Sequence, residues 1–590
     1  MFNVALSKPD LILLHPPAVF RFRERPGFYG PMSDVIPSSA IFEIYPIGFL
    51  TMSDYLNRHG IPVRIVNLAM KMLARESFDP EQFVKKLDAH AFGIDLHWLP
   101  HVDGSLSLAE MVKKYHPGKP VILGGLSATY YHDEIMADYP FVDFVVLGDS
   151  AEEPLRMLME AIKAGSGFES VPNLVWRDRG GKVITNELSS RPENLGSINF
   201  DYLHLLKMAL KYRDPSGYIP FRYWLTYPVT AVFQCRGCIH NCASCAGSHS
   251  SFKRFCMREK PCFRPPELLA QDIKRISEYT GAPVMVIGDL LQAGEVYAGR
   301  FLDAVKKYRI KNDLTVEFFA PPPKSFIRKV ADCIENVNVE VSPESHDPKV
   351  RKAFGKYYDN RELEQMIAAL LEAGCRRIDI FFMVGLPYQD YASVMQTARY
   401  CEELLEKYGS SRRLLPMIAP LAPFIDPGSA IFEEPEKFGY RLSARTLKEH
   451  RQAMLMPSWK YTLNYETAWM SREDIVRATY DGALMLLDIK EKYGVIGKEK
   501  AVMVREHNER SKILIERIDN SGRIDDATKA EILYLDNLAS LCDKHELDWP
   551  VKGWRLNFLK LFKLFLKELF PKGRRKCAWK VRMPSNEKGT

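Results

Sequence analysis

Apolar and polar positions follow two different patterns along the first 160 residues. Apolar side chains recur at helical spacing in residues 47–60, which end at the suitable C-cap residue Gly60, and in residues 105–118. Short continuous apolar runs of strand length lie around them, at residues 10–15, 63–68, 91–96, 120–125 and 143–148. Strands that alternate with helices predict a parallel, doubly wound sheet, so we interpret residues 1–165 as a Rossmann-like α/β domain.

The pattern weakens after this region and then resumes. Residues 166–227 are richer in Gly, Pro and Asn, and we interpret them as a linker in which residues 171–186 form a hairpin that turns at Gly180-Gly181. From residue 228 to residue 435, a second alternating unit predicts a partial or complete (β/α) barrel. Its strands are predicted at residues 230–235, 283–289, 315–320, 337–344 and 377–385, with helices such as 362–374 between them.

Helical patterns dominate residues 436–590, so the chain is predicted to be α/β with a helical C-terminal region. The hydrophobic fraction of 46% and the charged fraction of 26% are typical of a folded protein. The N-terminus lacks the basic region and the cleavage site of a secretory signal. No stretch reaches the roughly 20 apolar residues of a membrane-spanning helix. We therefore expect a cytoplasmic protein.

The net charge of +7 comes from one end of the chain. Residues 551–590 contain 12 Lys or Arg and two Glu, so the rest of the chain sums to −3 and no nucleic-acid partner is expected. Within residues 554–576, a wide apolar face carries a stripe of Lys and is followed by basic residues. This pattern is typical of a helix in a membrane interface, here peripheral contact with the inner membrane face. It is equally typical of a terminal helix docked on the protein core or at a dimer contact.

Six of the eleven cysteines fall between residues 235 and 262. In a chain without an export signal, such clustering favours metal ligation over disulfides. Cys238, Cys242 and Cys245 have the spacing C-x3-C-x2-C, and three thiolates from one loop can bind three irons of a cubane cluster while the fourth iron stays open. The alternative is a zinc site that begins with the Cys235/Cys238 pair, although no second pair with suitable spacing follows.

The three cysteines lie at the end of the first predicted strand of the second unit, and this arrangement resembles the signature of the radical S-adenosylmethionine (SAM) superfamily. The resemblance implies that Cys238, Cys242 and Cys245 hold a [4Fe–4S] cluster, which reduces SAM and releases a 5′-deoxyadenosyl radical. Later strand ends also resemble the family, which implies SAM-binding roles for Gly288, Asp289, Ser342, Glu344, Ser345, Gly385 and Pro387. One departure is Ser244, which stands where the family commonly has an aromatic residue against the adenine.

Proline and glycine pairs follow the predicted strands of the first domain. No Gly-x-Gly-x-x-Gly follows its first strand, which disfavours a dinucleotide ligand. Pro16-Pro17, Gly124-Gly125-x-x-x-Thr129 and Gly148-Asp149 instead resemble the cobalamin-binding domain that precedes many radical SAM domains, with Asp149 in place of the usual Glu. The resemblance covers about residues 1–435. It implies cobalamin-binding roles for Pro16, Pro17, Leu96, His97, Gly124, Gly125, Ser127, Ala128, Thr129, Gly148 and Asp149.

Two groups of residues keep more than one interpretation. Many cobalamin domains place a cobalt-ligating His in Asp-x-His-x-x-Gly after the first strand, but here Asp95-Leu96-His97 follows a later strand, so we expect no His on cobalt. His97 and His101 either line the site or are ordinary loop histidines. Cys235, Cys256 and Cys262 are expected to be small buried side chains, with ligation of an auxiliary cluster or proton donation to a substrate radical as alternatives.

Together the resemblances imply an enzyme. We expect hydrogen abstraction from an unactivated C–H bond and methyl transfer by cobalamin to a small-molecule or lipid substrate, with ferredoxin or flavodoxin as the electron donor. Radical carbon–carbon bond formation on a lipid is one alternative, and a cobalamin-binding sensor or carrier with a degenerate cluster site is another. RNA methylthiolation is a third, although such enzymes usually carry an N-terminal domain with cysteines of its own, and residues 1–234 contain none.

Overall fold

The computed structural model describes residues 8–30, 39, 41–225, 228–421, 424–521, 524–546, 557, 559 and 563. Within them, two mainly parallel β-sheets follow one another along the chain, and a mostly helical region comes last. The amphipathic segment that the sequence predicts at residues 554–576 lies outside the described residues, apart from three single positions.

The first sheet agrees with the pattern of apolar runs. It consists of β1 (Leu11–His15), β2 (Val63–Asn67), β3 (Ala91–Asp95), β4 (Val121–Gly124), β5 (Phe144–Val146), β6 (Leu174–Arg177) and β7 (Val183–Thr185). Their order is β2-β1-β3-β4-β5-β6-β7, and the first five strands are parallel. The predicted doubly wound sheet is therefore confirmed.

Helices cover both faces of this sheet. They are α1 (Gly48–Arg58), α2 (Leu68–Ala74), α3 (Pro80–Lys85), α4 (Val102–Tyr115), α5 (Leu126–Tyr130), α6 (His132–Asp138), α7 (Glu152–Ala164) and α8 (Tyr202–Lys211). Leu11 and Leu13 of β1 enter the core that includes α1 and α7, whereas Ile12 and Leu14 enter the core that includes α4. Burial on both faces explains why the strands are continuous apolar runs.

The hairpin at residues 171–186 is part of the first sheet. β6 pairs antiparallel with β5, and β7 pairs antiparallel with β6 across the predicted Gly180-Gly181 turn. Our interpretation of this stretch as linker did not anticipate the pairing. The reason is physical, because a turn signal is local whereas the sheet edge that accepts the hairpin is chosen by tertiary packing.

The second sheet forms the predicted partial barrel. The strands of this region are β8 (Thr230–Phe233), β9 (Cys235–Arg236), β10 (Cys262–Phe263), β11 (Val284–Asp289), β12 (Leu314–Phe318), β13 (Val337–Glu344), β14 (Arg377–Val384) and β15 (Leu414–Pro420). β9 and β10 form a separate antiparallel pair, and the others are parallel in the order β8-β11-β12-β13-β14-β15. We did not predict β15, which contains Pro416 and Pro420. Proline has no backbone N–H to donate to a ladder, so it is tolerated on an edge strand, which has a neighbour on one side only.

Helices pack on one face of the second sheet, and the other face is partly polar. The helices of this region are α9 (His249–Phe255), α10 (Pro266–Tyr279), α11 (Glu295–Tyr308), α12 (Lys324–Cys333), α13 (Pro348–Phe354), α14 (Asn360–Glu372) and α15 (Tyr391–Tyr408). In β13, Val339 and Val341 enter the helix-covered core. Asn338, Glu340 and Ser342 alternate with them and point to the opposite face, which we call the inner face.

The C-terminal region packs against the carboxyl end of the second sheet. Its elements are α16 (Ala430–Glu433), β16 (Tyr440–Leu442), α17 (Leu447–Met454), α18 (Trp459–Thr462), β17 (Tyr465–Thr467), α19 (Arg472–Lys492), α20 (Lys498–Ser521) and α21 (Asp526–Glu546). Trp459, Tyr465 and Tyr480 share one buried cluster with Val384 and Leu386. Val384 ends β14, and Leu386 lies in the turn that follows. The antiparallel β16–β17 pair was not expected in a helical region. Among the described helices, none combines the length and the apolarity that a membrane crossing would require.

Gly104 in α4 provides the first test of this packing. A Cβ atom at this position would overlap the carbonyl oxygen of Pro17 in the loop after β1. We expect Gly104→Ala to destabilise the protein by about 1–3 kcal/mol, because the loop or the helix must shift. Gly118→Ala is the matched control, since a Cβ atom at that position would meet nothing within 4 Å. Thermal unfolding followed by circular dichroism should show a lower midpoint for Gly104→Ala only, and equal midpoints would contradict the packing.

Candidate active site

The predicted cluster cysteines lie in one loop at the carboxyl end of the second sheet, between β9 and α9. Backbone hydrogen bonds hold this loop: Ala243 N–H donates to the Phe354 carbonyl, and Ile431 N–H donates to the Ala243 carbonyl, both at 2.9 Å. The Asp426 carboxylate accepts a hydrogen bond from Ala246 N–H at 3.2 Å. These partners come from distant segments, so tertiary packing positions the loop.

The thiols of Cys238, Cys242 and Cys245 are free and lie within one another's electrostatic reach. Burial raises the pKa of the Cys238 thiol to about 11, and Cys242 contributes to the rise. Burial also raises the pKa of Cys245, with smaller contributions from Asp426 and from the other two cysteines. A bound metal centre would supply the positive charge that turns these thiols into thiolates.

The donor set of the loop fits an iron–sulfur cluster. His240 N–H lies 3.4 Å from Cys238 Sγ, and Gly247 N–H lies 3.2 Å from Cys245 Sγ. Backbone N–H groups that point at cysteine sulfur are a known means of tuning such clusters. In the part of the chain that the structure describes, no three His, Cys, Asp or Glu side chains are arranged to hold one metal ion.

Gly288 and Asp289 end β11, at the same edge of the sheet as the cysteine loop. The Asp289 carboxylate accepts hydrogen bonds from Leu291 N–H at 2.8 Å and from Phe319 N–H at 2.9 Å. Gly288 N–H donates to the Glu317 carboxylate. Asp289 thus shapes the turn after β11, and its role in SAM binding stays a prediction.

Glu344 ends β13 in the left-handed conformation, with a φ of 67°. Its carboxylate pairs with Lys356 at 2.8 Å, and the Lys356 ammonium also donates to the Ser342 carbonyl. Oε2 of Glu344 is buried and has no hydrogen-bond partner within the described residues. Left-handed backbone at a residue other than glycine, together with an unpartnered oxygen, is typical of a functional position. Ser345 Oγ instead accepts from Asp347 N–H at 3.1 Å and stabilises the next turn.

The Gly385-Leu386-Pro387 turn after β14 is held by the C-terminal region. Gly385 has a φ of 99°, and a Cβ atom there would lie 2.7 Å from the Tyr465 hydroxyl oxygen. The Tyr440 hydroxyl donates to the Gly385 carbonyl at 2.6 Å, and Gln389 Oε1 accepts from Gly385 N–H at 2.8 Å. The β16–β17 pair therefore fixes the conformation of a turn that the resemblance places near SAM.

The loops predicted to hold cobalamin meet at the carboxyl edge of the first sheet. Gly125 has a φ of 116° and packs so closely on His97 that a Cβ would lie 2.5 Å from His97 Cα. Ser127 Oγ donates to the His97 carbonyl at 3.1 Å, and Gly148 N–H donates to Thr129 Oγ1 at 2.9 Å. The remaining residues predicted for this site lie in the same loops or strand ends: Pro16, Pro17, Leu96, Gly124, Ala128 and Asp149.

A buried histidine pair lies at this edge and was not predicted as a unit. His15 Nδ1 is 3.0 Å from Asp95 Oδ1, and the His15 and His101 ring centroids are 4.8 Å apart. The Phe42 carbonyl lies 3.1 Å from His15 Nε2 and 2.9 Å from His101 Nε2. Burial lowers the pKa of His101 to about 4, so this ring is neutral. Asp95, the first residue of Asp95-Leu96-His97, is hydrogen-bonded to the His15 ring.

Two family models match the chain. The model of the B12 binding domain matches residues 34–157, and the model of the radical SAM superfamily matches residues 233–401. The chain combines a B12 binding domain with a radical SAM domain. The first matched segment includes β2 to β5 of the first sheet, and the second runs from the end of β8 into α15.

Solved structures share this architecture at low sequence identity. OxsB, a cobalamin-dependent S-adenosylmethionine radical enzyme solved with aqua-cobalamin and S-adenosylmethionine, is 12% identical, covers 96% of this chain and 82% of its own, and gives a TM-score of 0.54. TsrM, a radical SAM methyltransferase from Kitasatospora setae solved with tryptophan and a SAM analog, is 13% identical with 74% and 78% coverage and a TM-score of 0.52. These structural similarities show that this chain shares its fold with OxsB and TsrM.

A curated relative matches a shorter segment. The uncharacterized methyltransferase PH0819 of Pyrococcus horikoshii is 27% identical over 179 residues, which are 30% of this chain. The match covers 36% of that relative's length.

Two buried ion pairs join the B12-binding domain to the radical SAM domain. Arg236 in β9 forms a bidentate pair with Glu152 at the start of α7, with distances of 2.5 and 2.8 Å. Arg258 forms a second bidentate pair with Asp149. The paired residues are 84 and 109 positions apart in the chain. The sequence offered no signal that would link them, although Asp149 was already singled out for another reason.

The other clustered cysteines flank these pairs. Cys256 and Cys262 are buried and Cys235 is half-buried, and all three are free thiols. In the β9–β10 pair, Cys262 lies opposite Arg236 and Phe263 lies opposite Cys235. The burial of Cys256 and Cys262 is what small packed side chains would show, and the role of all three cysteines stays a prediction.

Glu152→Gln tests the ion pair between Glu152 and Arg236, which joins the two domains. Burial alone would raise the pKa of Glu152, but Arg236 and Thr51 outweigh it and lower the pKa below 4.5. Because the folded-state pKa is depressed, the ion pair contributes stability above the unfolded pKa and loses it as pH falls through the folded value. We expect the variant to be less stable by about 3 kcal/mol at pH 7, since Arg236 loses its buried partner.

The pH dependence and a matched variant make this test specific. The stability difference between wild type and Glu152→Gln should shrink below about pH 4.5. Glu160→Gln removes an exposed helix pair with Arg156 and should change stability by less than about 0.5 kcal/mol. Chemical denaturation from pH 3.5 to pH 8 would measure both effects. A stability difference between wild type and Glu152→Gln that does not vary with pH would contradict the ion pair.

Proposed function

We propose that this protein is a cobalamin-dependent radical SAM methyltransferase that modifies an unactivated carbon of a small organic substrate. The single observation that carries the proposal is the position of the Cys238–Cys245 loop. It lies at the carboxyl edge of the radical SAM sheet. Two residues before Cys238, Arg236 forms an ion pair with Glu152 of the B12-binding domain. The ion pair thus links the carboxyl edges of the two sheets, where the cofactors would bind.

Residues of the chain provide a distinct place for each cofactor. Cys238, Cys242 and Cys245 would hold a [4Fe–4S] cluster, and the strand ends at Gly288, Glu344 and Gly385 would hold SAM. The loops at His97, Gly125, Thr129 and Gly148 would hold cobalamin. When bound, the cluster and SAM supply one-electron chemistry for C–H activation, and cobalamin supplies a methyl group.

Among these strand ends, Glu344 is the best-supported SAM contact. Its buried Oε2 lacks a partner in the described residues, while Lys356 neutralises the other oxygen. A buried carboxylate oxygen without a hydrogen bond costs free energy unless a ligand satisfies it. A ribose hydroxyl or an ammonium group of SAM would do so. Asp289 and Ser345 already have backbone partners and would act through the turns that they shape.

The names of similar proteins favour methyl transfer over the alternatives. PH0819 and TsrM are both titled methyltransferases, and OxsB is titled a cobalamin-dependent radical enzyme. No specific observation favours carbon–carbon bond formation on a lipid, and none favours a sensor or carrier role. Membrane contact through residues 554–576 and the use of ferredoxin or flavodoxin stay predictions.

The cluster loop can be tested with cysteine variants. We expect Cys238→Ala, Cys242→Ala and Cys245→Ala each to lose most of the bound iron and sulfide after anaerobic reconstitution, because two thiolates cannot retain the cluster. Reductive cleavage of SAM should fall to background in all three. Cys333→Ala is the control, since this half-buried free cysteine on α12 lies outside the loop.

Either of two results would remove the basis of the proposal. One is wild-type protein that holds a single zinc ion and no acid-labile sulfide. The other is a set of loop variants whose iron content and SAM cleavage equal those of Cys333→Ala. Product analysis by mass spectrometry with methyl-labelled SAM would then distinguish methyl transfer from other radical outcomes.

The cobalt ligand is the second test. The Asp-x-His-x-x-Gly pattern is absent after β1, and both ring nitrogens of His15, which ends β1, already have partners. We therefore expect no protein nitrogen on cobalt. The electron paramagnetic resonance spectrum of the cob(II)alamin form should be identical for unlabelled and 15N-labelled protein. A change of the superhyperfine splitting on labelling, lost again in His97→Ala, would show histidine ligation instead.

A further inference from the structure

The cysteine loop comes close to the surface on the side of α13. Gly355 follows this helix, and a Cβ atom there would lie 2.7 Å from the Asn241 carbonyl oxygen and 3.3 Å from Cys242 Cα. Gly355 is itself half-buried, and Tyr357, two residues later, is 79% exposed. A single short segment therefore separates Cys242 from solvent on this side.

The same segment is rich in positive charge. Residues 345–361 contain five Lys or Arg and two Asp, and both Asp347 and Asp359 are occupied as helix N-caps. Lys349 and Lys352 are exposed, and their i, i+3 spacing places them on one face of α13. Neither ammonium forms an ion pair with a carboxylate in the part of the chain that the structure describes. Their charges are therefore available to a partner.

Exposed aromatic side chains border this face of α13. Lys349 Nζ lies 4.6 Å from the centre of the Tyr388 ring, and the Tyr388 and Trp469 ring centroids are 4.7 Å apart. Tyr388 is 47% exposed and has a φ of 63°. A bulky residue rarely adopts this left-handed conformation, and such strain clusters at functional positions. Aromatic rings are also enriched in protein–protein interfaces.

The other contacts of the cysteine loop are made inside the protein. Asp426 and Ile431 of the C-terminal region hydrogen-bond to the loop backbone. Arg236 and Arg258, on either side of the loop, form buried ion pairs with the B12-binding domain. The α13 side is thus where a second protein can approach the loop without displacing either neighbour.

We propose that Lys349, Lys352, Tyr357 and Tyr388, which we call the α13 patch, dock an acidic electron-transfer protein that carries a flavin or an iron–sulfur centre. The inference rests on the proposed function, in which each reductive cleavage of SAM consumes one electron. The donor centre loses that electron, the cluster held by the cysteine loop gains it, and no atom changes hands. Electron-transfer partners bind transiently through interfaces below about 1,200 Å², so a small patch suffices. Lysines on such a patch steer an acidic partner.

The first test measures binding and does not depend on turnover. Oxidised flavodoxin and an oxidised two-cluster ferredoxin would be titrated into the reconstituted wild-type protein by isothermal titration calorimetry. We expect at least one of them to bind at low salt and to weaken at least about tenfold at about 0.5 M salt, because exposed charges are screened. Cytochrome c, a basic electron-transfer protein, should not compete with the bound donor.

Variants assign the binding to the α13 patch. The double variant Lys349→Glu/Lys352→Glu should weaken donor binding at least about tenfold at low salt, whereas Lys349→Arg/Lys352→Arg should retain it. Lys311→Glu is the matched control, since this exposed lysine precedes β12 at the opposite, amino edge of the second sheet. Circular dichroism and iron content would verify folding. SAM cleavage driven by dithionite should be equal in all variants, and cleavage driven by reduced flavodoxin or ferredoxin should fall only in the glutamate double variant.

The outcomes separate this inference from the proposed function. The α13 patch would be overturned if neither donor binds the wild type, if the glutamate double variant binds as well as the wild type, or if Lys311→Glu weakens binding equally. An equal loss of dithionite-driven and donor-driven cleavage in the double variant would also overturn it, because the lysines would then act on the cluster site itself. A wild type that does not cleave SAM with dithionite would instead overturn the proposed function, and the titrations would still decide on the docking surface.

Discussion

The architecture depends on two buried arginine–carboxylate pairs between the B12-binding and radical SAM domains. Arg236 and Arg258 come from either side of the cysteine loop, and Glu152 and Asp149 come from the segment that follows β5. Such pairs contribute little net stability, since desolvation offsets the attraction, but they require a specific geometry. The cysteine loop therefore cannot move relative to the carboxyl edge of the first sheet without leaving buried charges unpaired.

The C-terminal region completes the same site from the opposite side. Ala243 of the cysteine loop shares a buried cluster with Tyr440, Tyr465 and Trp459. The two tyrosines also fix the turn at Gly385. The C-terminal region, which the sequence predicts to be helical, thus packs against both the cysteine loop and the turn at Gly385.

The inner face of the second sheet shows the opposite balance between stability and function. The opposite face of this sheet packs into an apolar core, whereas Asn338 and Thr315 place on the inner face buried polar atoms that have no hydrogen-bond partner among the described residues. Buried groups of this kind oppose folding unless a ligand satisfies them.

The order of elements along this chain was already contained in its sequence, because apolar periodicity and turn residues are local properties. The strands from β1 to β5, the parallel strands from β8 to β14, and the C-x3-C-x2-C loop could be predicted for that reason. The edge that accepts β6 and β7, the proline-containing β15, and the pairing of Arg236 with Glu152 could not. Each of these is a contact between segments that the local pattern does not connect, and such contacts are selected by three-dimensional packing and charge pairing, which leave no periodic trace in either segment alone.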